Sequence, residues 1–361
     1  MPLSIDKGQT PNRDATKNGF SNQRVSPALS AGCIRVALVN NMPDSALEDT
    51  EAQFSGLLAD ACGKLSVHLS LYSLSGVPRG ERGKEHLQRF YRSTDELSNN
   101  DVDAVIITGT EPRQADLREE PYWGALATLL HWAEANTESA ILSCLAAHAS
   151  VLHSDRIARH RLSDKRFGVF DQRMAGHHRL TEGILETIRF PHSRWNELPE
   201  EELASCGYLV LTKSAEAGVD SFVKKKKRSL FVHFQGHPEY GAQTLLKEYR
   251  RDIGRFLRNE RETYPSMPHG YFDANSVKVL TEFQANAALH RHEDLLAAFP
   301  QASIASALQH PWRNAALAIY RNWLHHVAAR KADARKVAVA VKAAPATRAY
   351  ARASAAASRV G

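Results

Sequence analysis

"AILSCLAAHASVL" (Ala140–Leu152) is an apolar, strand-like run that reaches a cysteine and turns Ala-rich and helix-like at once. A strand that stops at Cys144 and passes straight into a helix holds that side chain at the edge of a sheet. The first N–H groups of the helix, beginning with Leu145, point at it; they lower a thiol's pKa and stabilise a developing oxyanion. This is the strand–nucleophile–helix elbow that other hydrolases build around serine. Taken alone, a cysteine in an apolar run is more often inert packing.

The counterpart is "LFVHFQGHPEY" (Leu230–Tyr240), which ends a β run with His237, Pro238 and Glu239. A thiol nucleophile needs a base, and the base needs an acceptor that orients it. Pro238 stiffens the turn, and residues two apart converge where the chain turns. Cys144, His237 and Glu239 therefore form a candidate triad in the order Cys…His…Glu. His233, inside the β run, reads as structural. His148 follows Cys144 by one helical turn and lies within reach of the site.

Around these two fragments, strand-like and helix-like runs alternate. "IRVALVN" (Ile34–Asn40), "SVHLSLYSL", "DAVIITGT" (Asp103–Thr110) and "SAILSC" read as strands; "SALEDTEAQFSGLLADAC" and "PYWGALATLLHWAEAN", with Pro121 at its start, read as helices. The expected fold is α/β, a flavodoxin-like doubly wound and mainly parallel sheet with helices on both faces. Such sheets bind ligands beyond the carboxyl ends of their strands, where Thr108–Thr110 and Cys144 fall. From about Phe167 to Phe234 short β runs dominate ("RFGVF", "ETIRF", "YLVLTKS"), followed by the amphipathic "AQTLLKEYRRDIGRFLRN" and a later helix in "PWRNAALAIYRNWLHHVAARK".

Composition narrows the function classes. The chain has 361 residues with a formal charge of +6, and residues 331–361 hold seven Lys/Arg against one Asp, so the tail supplies the excess. The rest is nearly balanced, and a nucleic-acid-binding surface is not indicated. "KKKKR" (Lys224–Arg228) reads as a solvated hairpin tip. The four cysteines (Cys33, Cys62, Cys144, Cys206) form no CxxC pair, and no metal site is expected. No apolar run approaches the roughly 20 residues of a membrane span, and the N-terminus lacks the apolar centre of a secretory signal. A cytoplasmic protein is expected. The organisation expected is a disordered segment over 1–32, a catalytic domain with C-terminal helices over 33–330, and a low-complexity basic, Ala-rich tail over 331–361.

An elbow cysteine paired with "HPE" after a strand resembles the class I glutamine amidotransferase-like superfamily. Within it, "VNNMPDSALEDTEAQF", "IITGTEP" with its downstream "YW", "SCLAAHA", "FGVF", "PHSRWNEL", "GHPEY" and "EYRRDIG" resemble the homoserine O-acyltransferases, the homoserine O-succinyltransferase family of methionine biosynthesis. The pieces stand in family order and cover about Ile34 to Asp273. The resemblance implies that Cys144 takes an acyl group from acyl-CoA, a co-substrate rather than a cofactor, and passes it to L-homoserine. His237 would be the general base and Glu239 its orienter. Arg251 would grip the amino-acid carboxylate with Glu248 nearby, Ser193 would help bind substrate, and Lys165 would contact the acyl donor. Backbone N–H groups at Leu145 and Thr110 would hold the oxyanion. Succinyl is favoured over acetyl because Arg113, in "TGTEPRQADL", can pair with a succinyl carboxylate, although Glu111 nearby opposes one. The resemblance also implies a homodimer.

Two departures stand out. The elbow reads Cys144-Leu145-Ala146-Ala147-His148 where the family usually reads Cys-Trp-Gly-Ala-Gln, and Asp44 and Ser45 stand where lysines usually follow "MP". A glutamine amidotransferase that hydrolyses glutamine and a catalytically degenerate binding or regulatory homologue remain the alternatives.

Overall fold

Eleven strands share one sheet among the described residues, which in this computed structural model are 3–6, 30 and 32–343. The strands are β1 (Leu3–Ile5), β2 (Ile34–Val39), β3 (Val67–Ser73), β4 (Arg92–Ser93), β5 (Ala104–Ile107), β6 (Ser139–Ser143), β7 (His160–Met174), β8 (Thr187–Glu197), β9 (Leu209–Ser214), β10 (Gly218–Lys226) and β11 (Ser229–Phe234). The helices are α1 (Asp44–Ala61), α2 (Glu81–Phe90), α3 (Trp123–Asn136), α4 (Leu145–Asp155), α5 (Glu200–Ser205), α6 (Thr244–Leu257), α7 (Ala274–Leu289), α8 (Gln301–Ala307) and α9 (Arg313–Ala343).

The sheet order is β1-β3-β2-β5-β6-β11-β10-β9-β7-β8, with β4 beside β3. From β1 to β11 every pairing is parallel; β10, β9, β7 and β8 add an antiparallel extension. The parallel strands are apolar on both faces, as a sheet covered by helices on both sides requires. Val36, Leu38, Ile106 and Ile141 enter a core shared with α1, α6 and α9. Their neighbours Ala37, Val39, Val105, Ile107 and Leu142 enter the opposite core, under α3 and α4. The expected doubly wound architecture is the one observed, with the expected extra β segments and C-terminal helices.

Some expectations need correction. Within the N-terminal segment expected to be disordered, Leu3–Ile5 pairs in parallel with Val67–Leu69 as an edge strand; residues 7–29 lie outside the described residues. The boundary expected at 331 falls inside α9, and Lys331 donates to Cys33 O and pairs with Asp103. The remainder of the basic tail, 344–361, lies outside the described residues. α3 begins at Trp123, two residues beyond Pro121. The "KKKKR" block does form the β10–β11 hairpin end, but it is not simply solvated. Lys224 and Lys226 both pair with Asp155, at 2.6 and 3.0 Å, Lys227 pairs with Glu134 at 3.2 Å, and Arg228 pairs with the buried Glu138.

Candidate active site

β6 and β11 are adjacent and parallel, with Ser143 opposite Phe234 in register. Two chain segments far apart in sequence therefore leave the sheet side by side at its carboxyl edge. Cys144 N–H donates to Phe234 O at 2.7 Å, which ties the elbow to the strand that delivers His237. Cys144 itself sits at φ 52°, ψ −111°, between β6 and the first turn of α4. A non-glycine residue at positive φ stores about 1–3 kcal/mol, and it persists only where its surroundings enforce it. Here the bonds to Cys144 O from Ala147 N and His148 N, at 2.9 and 3.3 Å, begin the helix immediately behind the thiol.

Nδ1–H of His237 donates to Oε1 of Glu239 at 2.8 Å, and Ser143 Oγ donates to the same oxygen at 3.1 Å. Cys144 is the other group whose charge acts on the imidazole. Burial opposes a charge on His237, but Glu239 and then Cys144 outweigh it and hold its pKa well above the ordinary value. Tyr240 stacks on the imidazole at 4.1 Å and 16°. The ring is thus clamped on its face by Tyr240 and at Nδ1 by Glu239. The three expected triad residues are brought together.

The loop after β5 lies against the elbow. A Cβ on Gly109 would lie 2.7 Å from Leu145 Cβ and 2.9 Å from Leu145 N, so the loop approaches the elbow only because that residue is glycine. Gly109, Thr110 and Leu145 line one cavity with Asn41 and Tyr122. Thr108 Oγ accepts from Asn41 N at 2.8 Å, and Asn41 Nδ2 donates to Thr108 O at 3.1 Å, which braces this loop against the end of β2. Arg79 reaches the same corner. Its side chain donates to Met42 O and to Asn40 O and pairs with Asp44 at 3.4 Å, so a cation does stand at the "NNMPD" turn.

The expected substrate residues also converge. On α6, Glu248, Arg251, Asp252 and Arg255 share one face by helical spacing. Tyr240 Oη donates to Glu248 Oε1 at 2.8 Å, and Ser193 Oγ donates to Oε2. Lys165 Nζ lies 3.6 Å from Glu248, 3.4 Å from Asp252 and 4.0 Å from the Phe167 ring centroid. Phe167 and Ser193 are register partners on β7 and β8, which is how those strands present Lys165 and Ser193 to one helix face. Arg251 donates to Asp252 Oδ1 at 3.0 Å and remains half-exposed. Burial works against both charges of that pair, yet Asp252 is held below the usual carboxylate range by Lys165 and Arg251. Arg255 continues the row to Glu111 at 3.8 Å.

Arg113, an expected substrate residue, stands apart, and so does His148, which the sequence left open. Arg113 is exposed, and it is its backbone N–H that is held, by the buried Glu120. His148 turns away from the thiol: its Nε2 meets Gln235 Oε1 at 3.0 Å, and burial lowers its pKa to about 3. His233 is structural as expected, stacked on Phe222 at 4.6 Å and facing Ser150 Oγ at 3.2 Å. Ser143 and Tyr240 were given no role from sequence, although both flank residues that were. Their hydroxyls are aimed by the elbow and by the turn after β11, which residue spacing alone does not specify.

The model of the family described as "Homoserine O-succinyltransferase" matches residues 18–333. A homoserine O-succinyltransferase from Methylorubrum extorquens is 45% identical over 83% of this chain and 88% of its own. One from Rhodopseudomonas palustris is 42% identical over 90% of this chain and 98% of its own. Among solved structures, a glutamine amidotransferase from Thermotoga maritima aligns at 12% identity and a TM-score of 0.44, over 82% of this chain and 98% of that one.

Proposed function

The chain belongs to the homoserine O-succinyltransferase family, and from that premise we propose that it transfers a succinyl group from succinyl-CoA to the hydroxyl of L-homoserine through an acyl-thioester on Cys144. The observation that carries this reading is the positive-φ elbow beside an imidazole held basic by Glu239.

In the first half-reaction, His237 takes the thiol proton and the thiolate attacks the thioester carbonyl of the donor. The Leu145 N–H, with the backbone at Thr110, receives the oxyanion. The tetrahedral adduct collapses, the C–S bond to CoA breaks, and the imidazolium returns its proton to the departing thiolate. In the second half-reaction, His237 accepts the homoserine hydroxyl proton as that oxygen attacks the Cys144 thioester. The thiolate leaves and O-succinylhomoserine is released. Sulfur suits this role because it is both a strong nucleophile and a competent leaving group.

Arg251, with its guanidinium half-exposed, would take the homoserine carboxylate bidentately. Glu248, which accepts from Ser193 and Tyr240, would receive the ammonium. Lys165 would meet the donor. The test is product formation. O-Succinylhomoserine should appear with succinyl-CoA and homoserine, faster than O-acetylhomoserine with acetyl-CoA, with parallel double-reciprocal lines from the two half-reactions. Conversion of glutamine to glutamate without acyl transfer would overturn the proposal in favour of an amidotransferase. A faster reaction with acetyl-CoA would overturn the choice of donor.

A further inference from the structure

The run "RIARHRLSDKR" (Arg156–Arg166) carries five Lys/Arg against one Asp, and the function proposed above uses only Lys165 of it. Strand direction sets its place. β11 runs parallel to β6, and from β11 through β10, β9, β7 and β8 every pairing is antiparallel. β8 therefore runs the same way as β6 and β11, and β7 runs against them. The end of β8 and the start of β7 both lie at the carboxyl edge of the sheet, where the elbow stands. His237 N–H donates to Pro191 O at 2.8 Å, which ties β8 to the catalytic turn itself. Trp195 lies four residues farther out along β8, about 13 Å at the rise of a strand.

Side chains alternate along this stretch: His192 and Arg194 are buried, while Ser193 and Trp195 are not. Ser193 and Trp195 thus share a face, and Ser193 is the residue that donates to Glu248. Trp195 is 40% exposed, and the guanidinium of Arg161 stands 4.5 Å over its ring. Arg161 is itself exposed and pairs with no carboxylate among the described residues. On the other flank, Arg159 donates to Gln114 O and Ala115 O at 3.2 and 3.0 Å. That fastens the start of β7 to the same loop that carries Gly109 and Thr110 to the elbow. The indole and its cation are therefore continuous with the acyl site on both sides.

An acyl-CoA carries its thioester at one end of a long pantetheine arm and an adenine nucleotide with its phosphates at the other. With the thioester at Cys144, the nucleotide must rest some way out from the thiol. A purine stacks on an exposed indole, and a guanidinium without a carboxylate is free to take a phosphate. We propose that Trp195 and Arg161 form the nucleotide subsite of the acyl donor, the adenine stacking against the indole and the Arg161 guanidinium meeting a phosphate. This rests on the acyl-CoA reading above.

Two measurements on the full chain test it. The first is calorimetric titration with adenosine 3′,5′-bisphosphate, the nucleotide end of CoA without arm, thiol or acyl group, on the wild-type chain, Trp195→Ala and Arg161→Ala. The second is the ratio of kcat/KM for succinyl-CoA to that for S-succinyl-N-acetylcysteamine, a thioester that lacks the nucleotide. The wild-type chain should bind the bisphosphate, and each substitution should weaken binding about tenfold, the scale of one base stacked on an aromatic ring or one hydrogen bond to a charged group. The preference for succinyl-CoA should fall by a similar factor, through its KM and not through kcat. Bisphosphate affinity unchanged in both folded variants overturns the proposal, as does an equal loss of kcat/KM with the two donors. Bisphosphate binding that depends on Trp195 and Arg161 in a chain that transfers no acyl group would keep the subsite and overturn the function proposed above.

Discussion

Two buried histidine–carboxylate pairs lie close together in this protein, and their imidazoles are pushed in opposite directions. His237 meets Glu239 at 2.8 Å, and His192, on the neighbouring β8, meets Asp220 at 3.3 Å with both side chains wholly inaccessible. The difference lies in the group that acts on each ring besides its carboxylate. For His237 it is Cys144, and the imidazole is held basic by Glu239 and Cys144. For His192 it is Arg194, whose Nε donates to Nδ1 at 3.3 Å, and burial together with that cation pushes the pKa down despite Asp220. The same two residue types thus give an imidazole held basic in one place and a neutral strut in the other, because of the sign of the third group. The strut has its own use. A Cβ on Gly236 would meet Asp220 at 2.5 Å and His192 at 2.9 Å, so the pair packs directly beneath the turn that carries His237.

The sharpest way to break this comparison is to substitute each histidine in turn. His237→Asn should lower kcat by about a thousandfold or more, as expected for a group acting as one unit with its nucleophile. His192→Asn should leave kcat within a few-fold and instead cost stability, about 1–3 kcal/mol for lost buried hydrogen bonds, read from denaturant midpoints. Equal kinetic losses would erase the distinction. The carboxylates extend the test at smaller scale. Glu239→Gln should lower kcat by about a hundredfold or more by disturbing the tautomer and orientation of the base, and Asp220→Asn should again appear in stability and not in kcat.

The pH dependence of folding separates the two pairs by sign. His237, with its pKa raised above the unfolded value near 6.5, contributes stability that is complete below that value and is lost as pH rises through the folded pKa. His192 does the reverse: it is neutral in the fold, so its contribution is present above about 6.5 and is lost as the unfolded chain takes up a proton below it. His148 and His233, each lowered to about 3, act in the same direction as His192. Stability should therefore fall between pH 6.5 and 4, and His233→Phe should flatten that slope by about 1.4 kcal/mol per pH unit, measured by denaturation across that range. The smallest effect expected is that of His148→Gln. A glutamine there can still reach Gln235, and kcat should stay within about threefold; a large loss would return His148 to the catalytic set and blur the contrast.

How much of this was legible in the sequence depends on whether a property was local. The alternation of β and α runs and the abrupt change at Cys144 are local patterns, so the sheet and its nucleophile could be read directly. His237 and Glu239 followed because a turn after a β run brings residues two apart to one side. That β6 and β11 are neighbours is a matter of strand order, and it is what turns two local patterns into one site. The partners of the basic hairpin were hidden for the same reason: Asp155, Glu134 and Glu138 come from α4, α3 and the edge of β6, far from "KKKKR" in the chain. His148 could be read only as within reach of the site, because helical spacing gives a face and not a partner; its partner is Gln235. The substrate cluster around Glu248, Arg251, Lys165 and Ser193 was reached through family resemblance; charge pattern alone reads α6 as a solvated face.

The central claim is that Cys144 carries the acyl group, and mass spectrometry of the intact protein after brief exposure to succinyl-CoA without acceptor tests it most directly. The expected result is one succinyl adduct per chain, mapped to the peptide holding Cys144, discharged by homoserine and missing from Cys144→Ser. An adduct on another residue, or turnover in Cys144→Ser at close to the wild-type rate, would contradict it.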